Sequence, residues 1–194
     1  MDIKEIKLLT NCLLEQKEFY TFKLGLTVVK ETKKSFTVAV GLSKLTFSFS
    51  DNVEKPYYHF ALGISKDKYK EAKDWFKQRV TFNKVNGKDE FFSKLWNSQS
   101  LYFYDPAGNI VGFIARPIRN SPSILHKKDF CNKDILNISE IGLPVYNVPE
   151  MKDFIIHSFN FESYREGNET FMPLGNEEGL FILSKIDRVW LGIK

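Results

Sequence analysis

The chain has 194 residues, 43% of them hydrophobic and 27% charged, which is a globular composition with length for one ordinary domain or two small ones. A net charge of +4, with lysines scattered and no basic block interleaved with aromatics, argues against nucleic acid as a partner. Two cysteines, Cys12 and Cys131, are too few for a disulfide framework or a thiolate zinc site, and no run approaches the ~20 apolar residues of a membrane span. The N-terminal MDIKEIKLLTNCLLEQ also lacks the apolar core of a secretory signal, so a cytoplasmic protein with reduced thiols and no membrane partner is expected.

Residues 3 to 10, IKEIKLLT, read as a strand. LLEQKEFYTFKL then spaces Leu13, Leu14, Phe19, Phe22 and Leu24 near a helical period, and Gly25 suits the helix end. LTVVKET, SFTVAVG and KLTFSFS follow as three short strands rich in Val, Thr and Phe. After Pro56 the order returns. YYHFALGI is a strand, and KDKYKEAKDWFKQR is a helix with Tyr69, Ala72, Trp75 and Phe76 on one stripe. VTFNKV, SLYFYD and NIVGFIAR are three further strands. NGKDEFFSKLWNSQ, between the first two of these, reads as a loop with a short helical turn that lies across the mouth of a pocket.

Residues 117 to 136 carry Pro, Ser, Asn and mixed charge without periodicity and read as a linker. Beyond it, ISEIGLPV is a strand, VPEMKDFIIHSF a helix, and ESYREG, TFMPLG, LFILSK and RVWLGI supply further strands. EIKLLTN and EIGLPVYN begin alike, and SFTVAVGLSKLTF and TFMPLGNEEGLF share their sequence of hydroxyl residue, Phe, Gly, Leu and Phe. A unit repeated roughly every 50 to 60 residues is the strongest architectural signal in the chain. The expected fold is α+β, built of βαβββ units paired into a curved, cup-shaped sheet. Units 1–51 and 56–116 form the pair, and 137–194 is a third unit. That third unit lacks a mate within the chain, which predicts a homodimer through it or, alternatively, a third unit packed on the first pair and closing it.

YFYDPAGNIVGFIAR, residues 102 to 116, reads as a hairpin whose second strand points Ile110, Gly112 and Ile114 to one face. Glycine at a strand midpoint marks a bulge or a close approach. With FYTFKLGL after the first helix and YYHFAL on the second unit's first strand, this hairpin resembles the vicinal oxygen chelate superfamily. That superfamily includes glyoxalases, bleomycin-resistance proteins, fosfomycin-resistance enzymes and extradiol ring-cleaving dioxygenases.

The resemblance implies a divalent metal (nickel, zinc, manganese or iron) at the floor of the cup, with ligands from the first and fourth strands of each unit. Carried over, Glu5 and His59 take the first-strand ligand positions, and Thr46 falls near a fourth-strand position. Gly112 stands where the family has a carboxylate, so the resemblance also implies that the metal is weakly held or absent. Trp96, Tyr102 and Tyr104, with Thr46 and Gly112, are the candidate substrate-contacting residues. Glu140 repeats Glu5 in the third unit but has no accompanying His, and reads as structural, as do the surface residues His126 and His157.

Two functions follow. One is a metal-dependent lyase, isomerase or ring-cleaving dioxygenase acting on a small oxygenated substrate, with Glu5 and His59 on the metal. The other is a metal-free protein that sequesters an aromatic or planar small molecule, as bleomycin-resistance proteins do. No nucleophile elbow, His-Glu-x-x-His helix, phosphate loop or dinucleotide fingerprint is present.

Overall fold

A computed structural model describes residues 1–51, 55–117 and 129–189. The first unit runs β1 (Glu5–Thr10), α1 (Leu13–Glu18) continued by a π-helical turn over Phe19–Lys23, then β2 (Val28–Thr32), β3 (Ser35–Val40) and β4 (Ser43–Phe49). The second runs β5 (His59–Ser65), α2 (Tyr69–Lys77), β6 (Phe91–Ser93), β7 (Ser98–Tyr104) and β8 (Ile110–Arg116). The third runs β9 (Ile135–Val145), α3 (Val148–Phe159), β10 (Phe171–Asn176) and β11 (Gly179–Lys185).

Local chemistry explains most boundaries. The Asn147 side chain caps α3 by accepting from the Glu150 amide at 3.2 Å, Pro149 occupies its first turn, and Asn160 ends it in the left-handed region. VTFNKV forms only isolated bridges, Phe82 to Phe103 and Val85 to Lys88, because the chain reverses at Asn86 and Gly87, both with positive φ. The second strand of that unit is instead Phe91–Ser93, inside the segment expected to be a loop. ESYREG likewise makes only a bridge from Ser163 to Leu174. Of RVWLGI, Trp190 onward lies outside the described residues, as does most of the expected linker, His126 included.

Pairing between units corrects the expected partnership. The first unit is a sheet of its own, in the order β1-β4-β3-β2. The second and third units join into one seven-stranded sheet, β10-β11-β9-β5-β8-β7-β6, through antiparallel pairing of their first strands, β5 and β9. The cup therefore belongs to units two and three. Unit three has its mate within the chain, and unit one is the one left unpaired.

The first unit packs onto the others through its apolar face. Ile6, Leu8, Val38, Leu45 and Phe47 share a core with Phe60, Leu62, Phe76 and Phe113 of the second unit. Each such side chain contributes roughly 1.5–3 kcal/mol on burial. Two polar links fix the docking. Asp105, in the hairpin turn, accepts from Gln16 Nε2 at 2.8 Å and from the Tyr20 hydroxyl at 2.9 Å, while its other oxygen holds the turn amides of Ala107 and Asn109. Gly41, at φ +54°, lies where a Cβ would strike the Leu136 backbone, so the β3–β4 turn tucks directly under the start of β9. No helix among the described residues is long and apolar enough to cross a membrane.

Candidate functional site

Register places the residues of the cup. His59, Ala61 and Gly63 of β5 stand opposite Ile110, Gly112 and Ile114 of β8, and Arg116 ends the same row. Tyr102 and Ser100 of β7 face Gly112 and Ile114 from the other side. Residues directly opposite on neighbouring strands share a face, so all of these belong to the face turned away from α2.

Glu140 joins them through an irregularity. On a regular strand Ile138 and Glu140, two apart, would point the same way. The β5–β9 register shifts between Ala61 and Leu62, pairing Ala61 with Glu140 but Leu62 with Ile138. The extra residue, Ser139, lets Ile138 enter the main core while Glu140 turns into the cup.

A cavity of about 590 Å³ opens on this face, with Phe91, Trp96, Ser98, Ser100, Tyr102, Arg116, Glu140 and Phe171 among its walls. Arg116 and Glu140 are each 2% exposed and form an ion pair through Nη2 and Oε1. Burial lowers the Arg116 pKa to about 10, which leaves it cationic at neutral pH. The rings of Trp96 and Tyr164 cover its guanidinium at 5.4 and 5.9 Å, and Trp96 meets Tyr164 edge-on at 5.8 Å and Phe171 at 6.0 Å. Residues of the second and third units thus close an aromatic wall across the cup.

His59 lies beside Glu140, its side chain 8% exposed, with Nε2 3.5 Å from Oε2 and Nδ1 3.0 Å from the Ile110 carbonyl. Burial lowers its pKa to about 4, so the ring is neutral and Nδ1 carries the proton donated to Ile110. Gly112 is where the Tyr102 ring lies down. A Cβ there would come within 3.1 Å of Tyr102 Cε1 and of Ala61 Cβ.

The remaining expected site residues lie elsewhere. Glu5 is not brought to His59. It sits on the four-stranded sheet, where Thr46 Oγ1 donates to it at 2.9 Å and Thr37 bonds Thr46 at 2.8 Å. The carboxylate next to His59 is instead Glu140 of the third unit. Tyr104 borders a different cavity, with Phe19, Lys77 and Arg79. His157 is exposed on α3, with Nδ1 against the Asp153 carbonyl.

Comparison with solved structures decides the fold. A candidate dioxygenase from Bacillus subtilis superposes with a TM-score of 0.71 at 16% identity, over 97% of this chain and 65% of that one. A glyoxalase I mutant from Zea mays gives 0.64 at 15% identity, over 97% of this chain and 68% of that one. The chain has the vicinal oxygen chelate fold. It spans about two thirds of the length of these two structures. An integron cassette protein from the Halifax Harbour sewage outfall metagenome aligns over 58% of this chain with a TM-score of 0.50 at 20% identity. No protein-family model matches the sequence, and no curated protein does.

The divalent metal that the family resemblance implies does not suit the donors in this cup. Three protein ligands are the usual minimum for a catalytic divalent site. Here Gly112 offers none, one Glu140 oxygen is committed to a guanidinium, and that guanidinium would repel a dication beside it. No cluster of three His, Cys, Asp or Glu residues suited to a metal occurs among the described residues.

Proposed function

We propose that the cup between the second and third units binds a small, planar organic molecule without a resident divalent metal. The observation that carries this reading is the Arg116–Glu140 pair, which puts a protein cation against the carboxylate that a metal would need. The size of the cavity, about 590 Å³, and its wall of Trp96, Tyr102 and Phe171 are in the range of small-molecule sites. The metal-dependent lyase, isomerase or dioxygenase reading would need Glu5 at the site, and Glu5 is held by Thr46 on the other sheet. Acting by sequestration, the protein needs no reacting group: the aromatic wall supplies stacking surface, and polar groups on the floor fix orientation.

The test is metal analysis of protein purified without chelator, followed by calorimetric titration with nickel, zinc, manganese and iron(II). The expected result is no stoichiometric site. One-to-one binding that disappears in His59→Ala would overturn the proposal.

A further inference from the structure

We propose that Arg116 is the anchor for an anionic oxygen group, a carboxylate, carried by the planar ligand of the cup; this rests on reading the cup as a small-molecule site. Arg116 is 2% exposed and lines the cavity, yet none of its three side-chain nitrogens makes a hydrogen bond within the described residues. Among the described residues its ion-pair partner is Glu140, met through Nη2, while Glu177, Tyr102 and Tyr164 act on it electrostatically without a hydrogen bond. A buried donor left without an acceptor costs about 1–3 kcal/mol, and more when charged. The guanidinium fork, with Nε and Nη1 unengaged, is thus a strained cation that a two-oxygen acceptor relieves. A carboxylate matches that fork in spacing and plane, whereas a hydroxyl or amide satisfies only part of it.

Charge and shape agree with this assignment. Among the described residues the cavity walls carry three cations, Lys88, Arg116 and Arg188, against two carboxylates, Glu90 and Glu140, an excess that suits a monoanion. Trp96 and Tyr164 stand over the guanidinium, so a carboxylate on an aromatic ring enters between them, exchanging a cation–π cover for an ion pair while its ring takes up the stacking. Trp96 follows β6 on the turn into β7 and is only half-buried, which makes it the side chain that can swing aside. Glu140 stays beneath and keeps Arg116 extended across the floor.

The experiment is calorimetric titration of the full chain with 2-naphthoate and with its neutral isostere 2-naphthamide, with indole NMR of Trp96 as a second readout. The expected result is at least tenfold tighter binding of the acid, the difference vanishing in Arg116→Met and surviving in part in Arg116→Lys. Binding of acid and amide within twofold of each other in the wild-type protein overturns the Arg116 assignment and leaves the cup reading standing. Failure of both probes to bind or to move the Trp96 indole signal overturns the cup reading and this inference with it. Should Arg116→Met not fold, the wild-type comparison of acid and amide decides alone.

Discussion

Replacing Glu140 by Gln is the sharpest perturbation of the cup, because it keeps the side chain's volume and removes only its charge. Arg116 and Glu140 are both 2% exposed, so the little water that reaches them from the cavity replaces the carboxylate's charge poorly. Breaking a buried pair from one side leaves an uncompensated charge, at a cost of about 3–5 kcal/mol. For a chain of this size each kcal/mol moves the midpoint by about 2–4 °C, so Glu140→Gln should melt about 6–20 °C below wild type. Arg116→Met should cost less, since the stranded Glu140 carboxylate has His59 Nε2 at 3.5 Å with which to share a proton. The double variant Arg116→Met/Glu140→Leu should recover most of the loss, as apolar replacement of a whole buried pair is often neutral. Calorimetric melting and urea titration of the four proteins form a double-mutant cycle. A Glu140→Gln protein within about 0.5 kcal/mol of wild type, the scatter of ordinary surface changes, would refute the reasoning by showing the pair to be solvated.

Other outcomes follow from the same geometry. His59, with its pKa lowered from about 6.5 unfolded to about 4 folded, binds fewer protons in the folded state between those values. Its stabilising share is complete above pH about 6.5 and lost as pH falls to about 4, a change of about 3 kcal/mol that His59→Gln should remove from the urea-stability profile. Gly112→Ala should destabilise by about 1–2 kcal/mol in urea, because its Cβ would press Tyr102, which Phe91 backs at 5.6 Å; a more stable variant would mean that the ring can give. Asp105→Asn should cost about 2–4 kcal/mol, since the amide that replaces one oxygen faces the donors of Gln16, Tyr20 or Asn109. The homodimer proposal passes to the first unit, whose β1 ends its sheet with Leu9 42% exposed. Light scattering should report a dimer that Leu9→Lys dissociates, and a wild-type monomer at micromolar concentration would refute it.

The units were legible because their signals are local. Alternation over SFTVAV and IVGFIAR, and the helical stripe of Tyr69, Ala72 and Phe76, each follow from a few adjacent residues. Which units pair was not, because edge-to-edge pairing of β5 with β9 joins segments about eighty residues apart and leaves no mark in either. That single choice moved the site: Glu5 and Thr46 went to the unpaired sheet, and Glu140 took the place beside His59. Glu140 was further hidden by the Ser139 bulge, which breaks the alternation that would have put it on the side of Ile138. Arg116 left a signal, since it extends the row of Ile110, Gly112 and Ile114 by one more step of two. Trp96 and Tyr102, the aromatics expected at a pocket, stand in the wall of the cavity, and Gly112, where a missing ligand had been expected, seats the Tyr102 ring.

The most direct test of the central claim is the Nε–H resonance of Arg116, followed by 1H–15N NMR through two titrations of the chelator-free protein. 2-Naphthoate should shift that resonance and slow its exchange with water, while zinc should leave it in place. An Arg116 signal indifferent to the acid, with stoichiometric zinc binding at His59, would contradict the account.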